Sequence, residues 1–302
     1  MRVVFMGSSE FSIPSLEKLL GSQHDVVAVY SKAPKPAGRG YSLTKTPLHS
    51  YADSHGIPVR NPITLNAPGS AEAMAEYSPD VIVVVSYGLI LPKWVLCATK
   101  FGCINVHPSL LPRWRGAAPM EHTILSGDSI TGVTIMCIDE GIDSGDIFLQ
   151  EETPVGEKEN IVELRHRLSH MGSDLLLKVM DNLDSIVPVK QGNENITYAN
   201  KITDFRIDFN NSADYICRQI RAVYPKAFFM LSGTRVRILD AEGYTFSGDM
   251  DAGCVINDKL HIKCGDNTAL VPLVVQRESR NPCDIESFLR GLTLKGIPSE
   301  VS

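Results

Sequence analysis

An amide and an imidazole lie two residues apart in the stretch Gly102-Cys103-Ile104-Asn105-Val106-His107-Pro108. Residues i and i+2 of an extended strand point to the same face, so Asn105 and His107 share one side. A carboxylate, Asp143, stands downstream in the glycine-bearing acidic loop 139–146. Amide, imidazole and carboxylate together suit the transfer of a one-carbon acyl group to an amine. The amine must be neutral to attack. An α-amino group has a reference pKa of about 7.7–8.0, so activation asks little of a base. The harder task is the negative oxygen of the tetrahedral state, where removing a preorganised donor costs about 3–4 kcal/mol. Asn105 can donate there through its amide, and His107 can donate when protonated. A carboxylate beside His107 is expected to raise its pKa, fix its tautomer and accept the amine proton through a water. The plain alternative is that Asn105 and His107 are ordinary hydrogen-bonding residues at a strand end and that the loop 139–146 is a solvated turn.

Competing chemistries lack their residues. The chain has no Gly-x-Ser-x-Gly elbow and no phosphate loop of the Gly-x-x-x-x-Gly-Lys kind. His166 and His170 sit at i, i+4. A zinc site would need further ligands, and none stands nearby in the sequence, so no metal is expected.

Holding the three groups requires a sheet with loops at its carboxyl edge. Arg2 to Met6 is apolar after its first residue, as a buried parallel strand should be. Gly7-Ser8-Ser9-Glu10 turns into a helix with Pro14 near its start and Leu16, Leu19 and Leu20 on it, and Val26 to Tyr30 is the next strand. This βαβ opening lacks Gly-x-Gly-x-x-Gly, so no dinucleotide site is assigned. Leu48 to Ser54 suits a helix ended by Gly56, and Ile57-Pro58-Val59 a short strand. Val81 to Val85 is the clearest central strand, and it runs into Ser86-Tyr87-Gly88-Leu89-Ile90-Leu91-Pro92. Ligands of open α/β sheets bind beyond the carboxyl ends of strands, so this apolar loop suits a flat aromatic ligand, with loop packing as the alternative. Further strands are read at 103–106, 131–137 and 147–151, and a long helix at 157–186 with Ile161, Leu164, Leu168, Met171, Leu175, Val179 and Leu183 in one stripe. Val187 to Asn200 is polar and reads as a linker. Beyond it come a helix near 212–223, short strands at 227–232, 235–240, 254–256, 259–264 and 269–276, and a closing helix at 284–290. Short strands at this spacing suggest a small barrel.

The chain has 302 residues, enough for two domains, with 43% hydrophobic and 21% charged residues, as a globular protein has. A net charge of −6 argues against wholesale electrostatic binding of nucleic acid. Locally the balance differs: no acidic residue lies between Val26 and Ala52, whereas Lys32, Lys35, Arg39 and Lys45 do. Residues 31–47 contain three prolines and two glycines and are expected to form a long loop without regular structure, either solvated or functional. The seven cysteines form no Cys-x-x-Cys pair, which suggests reduced thiols in the cytoplasm. The first residues read as a strand and not as a signal peptide. The longest aliphatic run, Val81 to Val85, is far too short to cross a bilayer.

Two long motifs carry a resemblance. Asn105-Val106-His107-Pro108-Ser109-Leu110-Leu111-Pro112 continues into Arg113-Trp114-Arg115-Gly116-Ala117-Ala118-Pro119, and Asp139-Glu140-Gly141-Ile142-Asp143-Ser144-Gly145-Asp146-Ile147 follows. With these the chain resembles the 10-formyltetrahydrofolate-dependent formyltransferases. The loop Lys35-Pro36-Ala37-Gly38-Arg39-Gly40, the segment Thr197-Tyr198-Ala199 and Ile220-Arg221-Ala222 resemble the branch that acts on initiator methionyl-tRNA. Departures from that pattern are Gly7-Ser8-Ser9 for Gly-Thr-Pro, Ser86 for alanine, Asn200 for proline, and a missing acid before the basic loop.

The resemblance implies an α/β fold: a Rossmann-like, mostly parallel formyltransferase domain over 1–187, a linker over 188–204, and a small OB-like β-barrel that contacts tRNA over 205–302. It implies Asn105, His107 and Asp143 as catalytic residues for formyl transfer. Residues 87–92 (Tyr87, Gly88, Leu89, Ile90, Leu91, Pro92), 109–112 (Ser109, Leu110, Leu111, Pro112) and 139–142 (Asp139, Glu140, Gly141, Ile142) would hold the folate. Lys35, Arg39, Lys45 and Arg221 would contact tRNA, which makes the basic loop functional. The implied co-substrate is 10-formyltetrahydrofolate, without metal or membrane, in a cytoplasmic monomer. The rival reading is a folate-dependent formyltransferase acting on a small amine, which would need neither barrel nor basic loop.

Overall fold

A computed structural model describes residues 1–37, 42–291 and 301. The strands are β1 (Arg2–Gly7), β2 (Asp25–Tyr30), β3 (Lys35–Ala37), β4 (Ser42–Thr44), β5 (Val59–Arg60), β6 (Val81–Val85), β7 (Cys103–His107), β8 (Arg115–Gly116), β9 (Ile130–Cys137), β10 (Ile147–Pro154), β11 (Tyr198–Ala199), β12 (Phe228–Leu231), β13 (Thr234–Thr245), β14 (Ile262–Cys264), β15 (Thr268–Arg277) and β16 (Cys283–Asp284). The helices are α1 (Ile13–Leu20), α2 (Pro47–Ser54), α3 (Ser70–Ala75), α4 (Lys93–Leu96), α5 (Pro119–Ser126), α6 (Ile161–Asp181), α7 (Ala213–Ala222) and α8 (Ile285–Arg290). The chain forms two units. One comprises residues 1–116, 130–154 and 165–198, the other 117–129, 155–164 and 199–302.

In the first unit a seven-stranded sheet runs in the order β10-β9-β7-β6-β1-β2-β5. Strand β6 is buried along its whole length, which its unbroken valine and isoleucine run requires of a strand covered on both faces. The pairs β1–β2, β1–β6, β2–β5 and β6–β7 are parallel, so their carboxyl ends share one edge. Strands β9 and β10 extend the sheet antiparallel beyond β7. This is the Rossmann-like, mostly parallel sheet that the sequence implies. Two glycines set its depth. A Cβ on Gly7 would lie 2.8 Å from the carbonyl oxygen of Val85, so β1 ends against β6 only with glycine there. A Cβ on Gly172 in α6 would lie 2.7 Å from Val106 Cγ1, so this helix approaches the back of β7 closely and backs the strand that carries Asn105 and His107.

The second unit holds a five-stranded antiparallel sheet, β12-β13-β15-β14 with β16 on β15. Register shifts between Ile238 and Ala241 bend the long β13 against β15, and the sheet curls into an OB-like half-barrel. Ser212 caps α7 by accepting from the amide of Tyr215, and Asp284 caps α8 in the same way.

Several local expectations need correction. The loop 31–47 contains a hairpin, β3 on β4, with Pro36 opposite Leu43. Alternate residues of a two-stranded ribbon turn their N–H away from the partner, and such a position tolerates a residue without one. The short strand expected at 57–59 is β5, shifted along the chain to Val59–Arg60. The helix expected over 157–186 is confined to Ile161–Asp181, and the strand expected at 254–256 reduces to a single bridge, Val255 to Ile262. The polar segment after α6 does not hang free. Val189 and Ile147 exchange two backbone hydrogen bonds of 2.8 Å, so the chain adds to the start of β10 there. No helix among the described residues is long and apolar enough to cross a membrane.

Candidate active site

Register brings the first two groups together at the carboxyl edge of the sheet. Asn105 pairs with Val84 on one side and Met136 on the other, and His107 pairs with Thr134. His107 is 4% exposed, whereas Asn105 is half-buried. The ring of His107 is hydrogen-bonded at one nitrogen and faces a carboxylate with the other. Nε2 lies 2.9 Å from the carbonyl oxygen of Trp114, and Nδ1 lies 3.6 Å from Asp143 Oδ2. A carbonyl only accepts, so Nε2 carries the proton of the neutral ring and Nδ1 offers its lone pair toward Asp143.

That arrangement corrects one expectation. Burial depresses the pKa of His107, and this outweighs the raising effects of Asp143 and of the Trp114 hydrogen bond. The imidazole is therefore neutral near pH 7, with its Nδ1 lone pair facing a carboxylate oxygen. At 3.6 Å the contact is just beyond hydrogen-bond length, as such pairs often are before substrate binds. A proton arriving between Nδ1 and Oδ2 would be held by both.

Asp143 follows β9 in the acidic loop and sits in the left-handed region at φ +47°. For a residue with a side chain this costs about 1–2 kcal/mol, so neighbouring contacts must hold it. Three do. Asp143 Oδ2 accepts from the amide of Gly116 at 2.8 Å. The Gln191 side-chain amide donates to the carbonyls of Asp143 and Gly145, both at 2.8 Å. Gln191 Oε1 in turn accepts from Arg115 Nε at 3.1 Å and Nη2 at 2.7 Å, and Arg115 is only 8% exposed. One glutamine thus uses both ends of its side chain to join the loop that carries Asp143 to the segment that carries Gly116. Within the loop, Asp139 accepts from the amide of Gly141 and the hydroxyl of Ser144. Gly145 packs so closely on Cys137 that a Cβ would lie 2.0 Å from its carbonyl oxygen.

The turn after His107 is fixed from below. Buried Thr134 donates to the carbonyl of Ser109 at 2.6 Å and accepts from the amide of Leu111 and from Gln150 Nε2. Ser109 donates its hydroxyl to the Arg113 carbonyl at 2.6 Å, and Trp114 (φ +62°) donates its amide to Thr197 Oγ1 at 2.8 Å. Gln150, Gln191, Thr197 and Thr134 escaped sequence reasoning. Thr197 lies in a quoted segment but had no role there, the other three lie outside the motifs, and each acts through contacts made only in the fold. Arg115 lies inside the quoted motif, where it had no role.

The remaining expected residues divide. Gly88, Ile90, Glu140, Gly141 and Ile142 are exposed, Leu89, Leu91 and Pro92 half-buried; Ile90 is 90% and Ile142 64% exposed, unusual for large apolar side chains. Lys93 and Glu140 form a 2.6 Å ion pair that joins the loop 86–92 to the loop 139–143. Tyr87, by contrast, packs in the core with Tyr30 and Ile82, and burial pushes its phenol pKa far up. Ser109 and Leu111 are buried and Leu110 and Pro112 partly so. Of the residues expected at tRNA, Lys35 is exposed on β3, Lys45 pairs with Asp53, and Arg39 lies outside the described residues. Arg221 is half-buried and donates to the carbonyl of Glu159 at 3.3 Å. Among the described residues no group of three His, Cys, Asp or Glu side chains could hold a metal ion.

Known proteins match both halves. A formyl transferase family model covers residues 1–180, and a formyl transferase C-terminal domain model covers 201–293. A methionyl-tRNA formyltransferase of Anaplasma phagocytophilum is 64% identical over 99% of each chain. Another, of Anaplasma marginale, is 60% identical over 100% of this chain and 99% of its own. Among solved structures, the N-formyltransferase of Helicobacter canadensis, determined with folinic acid and dTDP-3-aminofucose, matches 91% of this chain and 98% of its own at a TM-score of 0.66. At 22% identity that likeness concerns the fold alone. With the family models spanning both parts and relatives this similar along the whole length, the chain belongs to the formyl transferase family.

Proposed function

We propose that this protein transfers the formyl group of 10-formyltetrahydrofolate to the α-amino group of methionyl initiator tRNA. The observation that carries the reading is full-length identity of 60–64% with two relatives named for that reaction, supported by His107 lying 3.6 Å from Asp143, with Asn105 two residues before it on the same strand. The folate fits the residues present: two bare isoleucines, Ile90 and Ile142, stand on loops joined by the Lys93–Glu140 ion pair and offer apolar surface to a flat ring. When bound, the folate supplies a formyl carbon on nitrogen.

The residues then divide the work. Asn105 donates its amide N–H to the formyl oxygen as that oxygen gains charge, and it is in place beforehand because β6 and β9 hold its strand on both sides. The amine is neutral when it attacks. As the new C–N bond forms it acquires positive charge, and the Nδ1–Oδ2 pair of His107 and Asp143 takes its proton, directly or through a water. The bond from carbon to the folate nitrogen breaks, and the proton returns to that nitrogen. Burial supports this assignment, because a depressed pKa leaves Nδ1 of His107 free to accept.

The reading takes residues 1–187 as the catalytic half, 188–204 as a linker and 205–302 as a tRNA-binding part, in a cytoplasmic monomer. Lys35, Arg39, Lys45 and Arg221 serve phosphate contacts, for which Lys45 must leave Asp53 and Arg221 must leave Glu159. The test is transfer of labelled formyl from 10-formyltetrahydrofolate to methionyl-initiator tRNA, methionyl-elongator tRNA and a nucleotide-linked amino sugar. Preference for the initiator is expected. Equal transfer to the amino sugar would overturn the reading in favour of a small-amine enzyme.

A further inference from the structure

Lys32 follows β2 at the carboxyl edge of the sheet, outside every role assigned so far. Its root is fixed. The Lys32 amide donates to Ser8 Oγ at 3.2 Å, and Ser8 Oγ donates to the Tyr87 carbonyl at 3.1 Å. The side chain runs over Gly88. A Cβ on that residue would lie 2.3 Å from Lys32 Nζ and 2.9 Å from Cε, and Gly88 holds φ +71°. Lys32 is half-buried, and among the described residues its ammonium makes neither ion pair nor hydrogen bond. No acid is near in sequence, for none occurs between Val26 and Ala52. A half-buried cation with no counter-charge among the described residues, laid over Gly88 just beyond the carboxyl end of β6, is arranged to receive an anion.

The distance selects which anion. Adjacent strands lie about 4.8 Å apart, and Gly88 follows β6, the neighbour of β7. The ammonium therefore stands on the order of 5–10 Å from the line of Asn105 and His107. An aminoacyl ester on a terminal adenosine has eight bonds between its amine nitrogen and the 5′-phosphorus, up to about 10 Å when extended. An amine at Asn105 and His107 thus brings that phosphate within reach of Lys32. We infer that Lys32 binds the phosphate on the 5′ side of the acceptor's terminal nucleotide and so positions the amine. This rests on the proposed reaction.

The experiment compares wild type, Lys32→Met and Lys32→Arg on two small acceptors, the 3′-methionyl ester of adenosine and that of adenosine 5′-monophosphate. Wild type should favour the phosphorylated acceptor about tenfold in kcat/KM. Lys32→Met should reduce that ratio to about one, and Lys32→Arg should restore most of it. With charged tRNA, the salt dependence of log KM should fall in slope by about 0.7, the value for one single-strand phosphate contact, in Lys32→Met. An unchanged ratio and slope in Lys32→Met would overturn the inference while leaving the reaction standing. So would a rise in KM for the folate alone, which would assign the cation to a folate carboxylate. Failure of wild type to formylate any methionyl acceptor, charged tRNA included, would instead overturn the reaction itself.

Discussion

Gln191 is the residue on which the position of Asp143 most depends, and replacing it tests the site without touching a reacting group. Gln191→Ala removes two donors to the carbonyls of Asp143 and Gly145 and the acceptor shared by two nitrogens of Arg115. Hydrogen bonds to a charged partner contribute about 1.5–3 kcal/mol and neutral ones about 0.5–1.5 kcal/mol. Gln191 is itself half-exposed and water replaces part of what is lost, so a destabilisation of about 2–4 kcal/mol follows. The left-handed backbone of Asp143 stores about 1–2 kcal/mol. Freed from Gln191, the loop can release it by swinging the carboxylate away from His107. If that relaxation appears in full in the barrier, kcat falls about 5- to 30-fold, at 1.36 kcal/mol per factor of ten. Gln191→Glu separates stability from catalysis. It keeps an acceptor for Arg115 but turns a second carboxylate oxygen toward two carbonyls. It should recover part of the stability and none of the rate. Urea unfolding and single-turnover formyl transfer on the same preparations give both quantities. A Gln191→Ala protein with the wild-type midpoint and the wild-type rate would refute the clamp.

Three further outcomes are expected. Asn105→Ala should lose about 10²–10³ in kcat while still binding folate, read by equilibrium titration; retention of kcat would remove Asn105 from the oxygen. Because burial lowers the folded pKa of His107, the unfolded chain binds more protons below about pH 6.5. The contribution of His107 to stability is thus complete above that pH and declines as pH falls, by at most about 1.4 kcal/mol per pH unit. The stability advantage of wild type over His107→Gln should therefore shrink between pH 7.5 and 5.5 in urea titrations, and a difference that grows on acidification would contradict the assignment. His49 and His261, depressed by burial in the same direction, cancel in that comparison. Thr134→Val leaves the Ser109 carbonyl, the Leu111 amide and Gln150 without their shared hydroxyl and should cost about 1–3 kcal/mol, read as a lower unfolding midpoint.

What could be read from residues alone was what period and local spacing encode. The valine run of β6 announces a two-sided buried strand, and the two-residue step from Asn105 to His107 puts both on one face at the sheet edge. The sign of the His107 pKa was not legible. It depends on how completely the ring is buried, and only the assembled sheet and the turn at Trp114 decide that. Gln191 was invisible for a related reason. It stands in a polar stretch with the composition of a linker, 48 residues from the carbonyl it binds. The hairpin in the basic loop was hidden because Pro36 argues against a strand unless its missing N–H falls on the unpaired side.

The return of the chain after α6 bears on how this protein can be dissected. A truncation at residue 187 would keep Asn105, His107 and Asp143 and the loops proposed to hold the folate, and would pass by its length for a complete catalytic piece. It would lack Val189, which continues the edge beside Ile147, and with it Gln191 and Thr197. Such a fragment would hold the right side chains on an acidic loop that keeps the Gly116 amide on Asp143 but loses both Gln191 contacts to its backbone. The compact unit that contains the site runs on to Tyr198 and so includes Val189, Gln191 and Thr197.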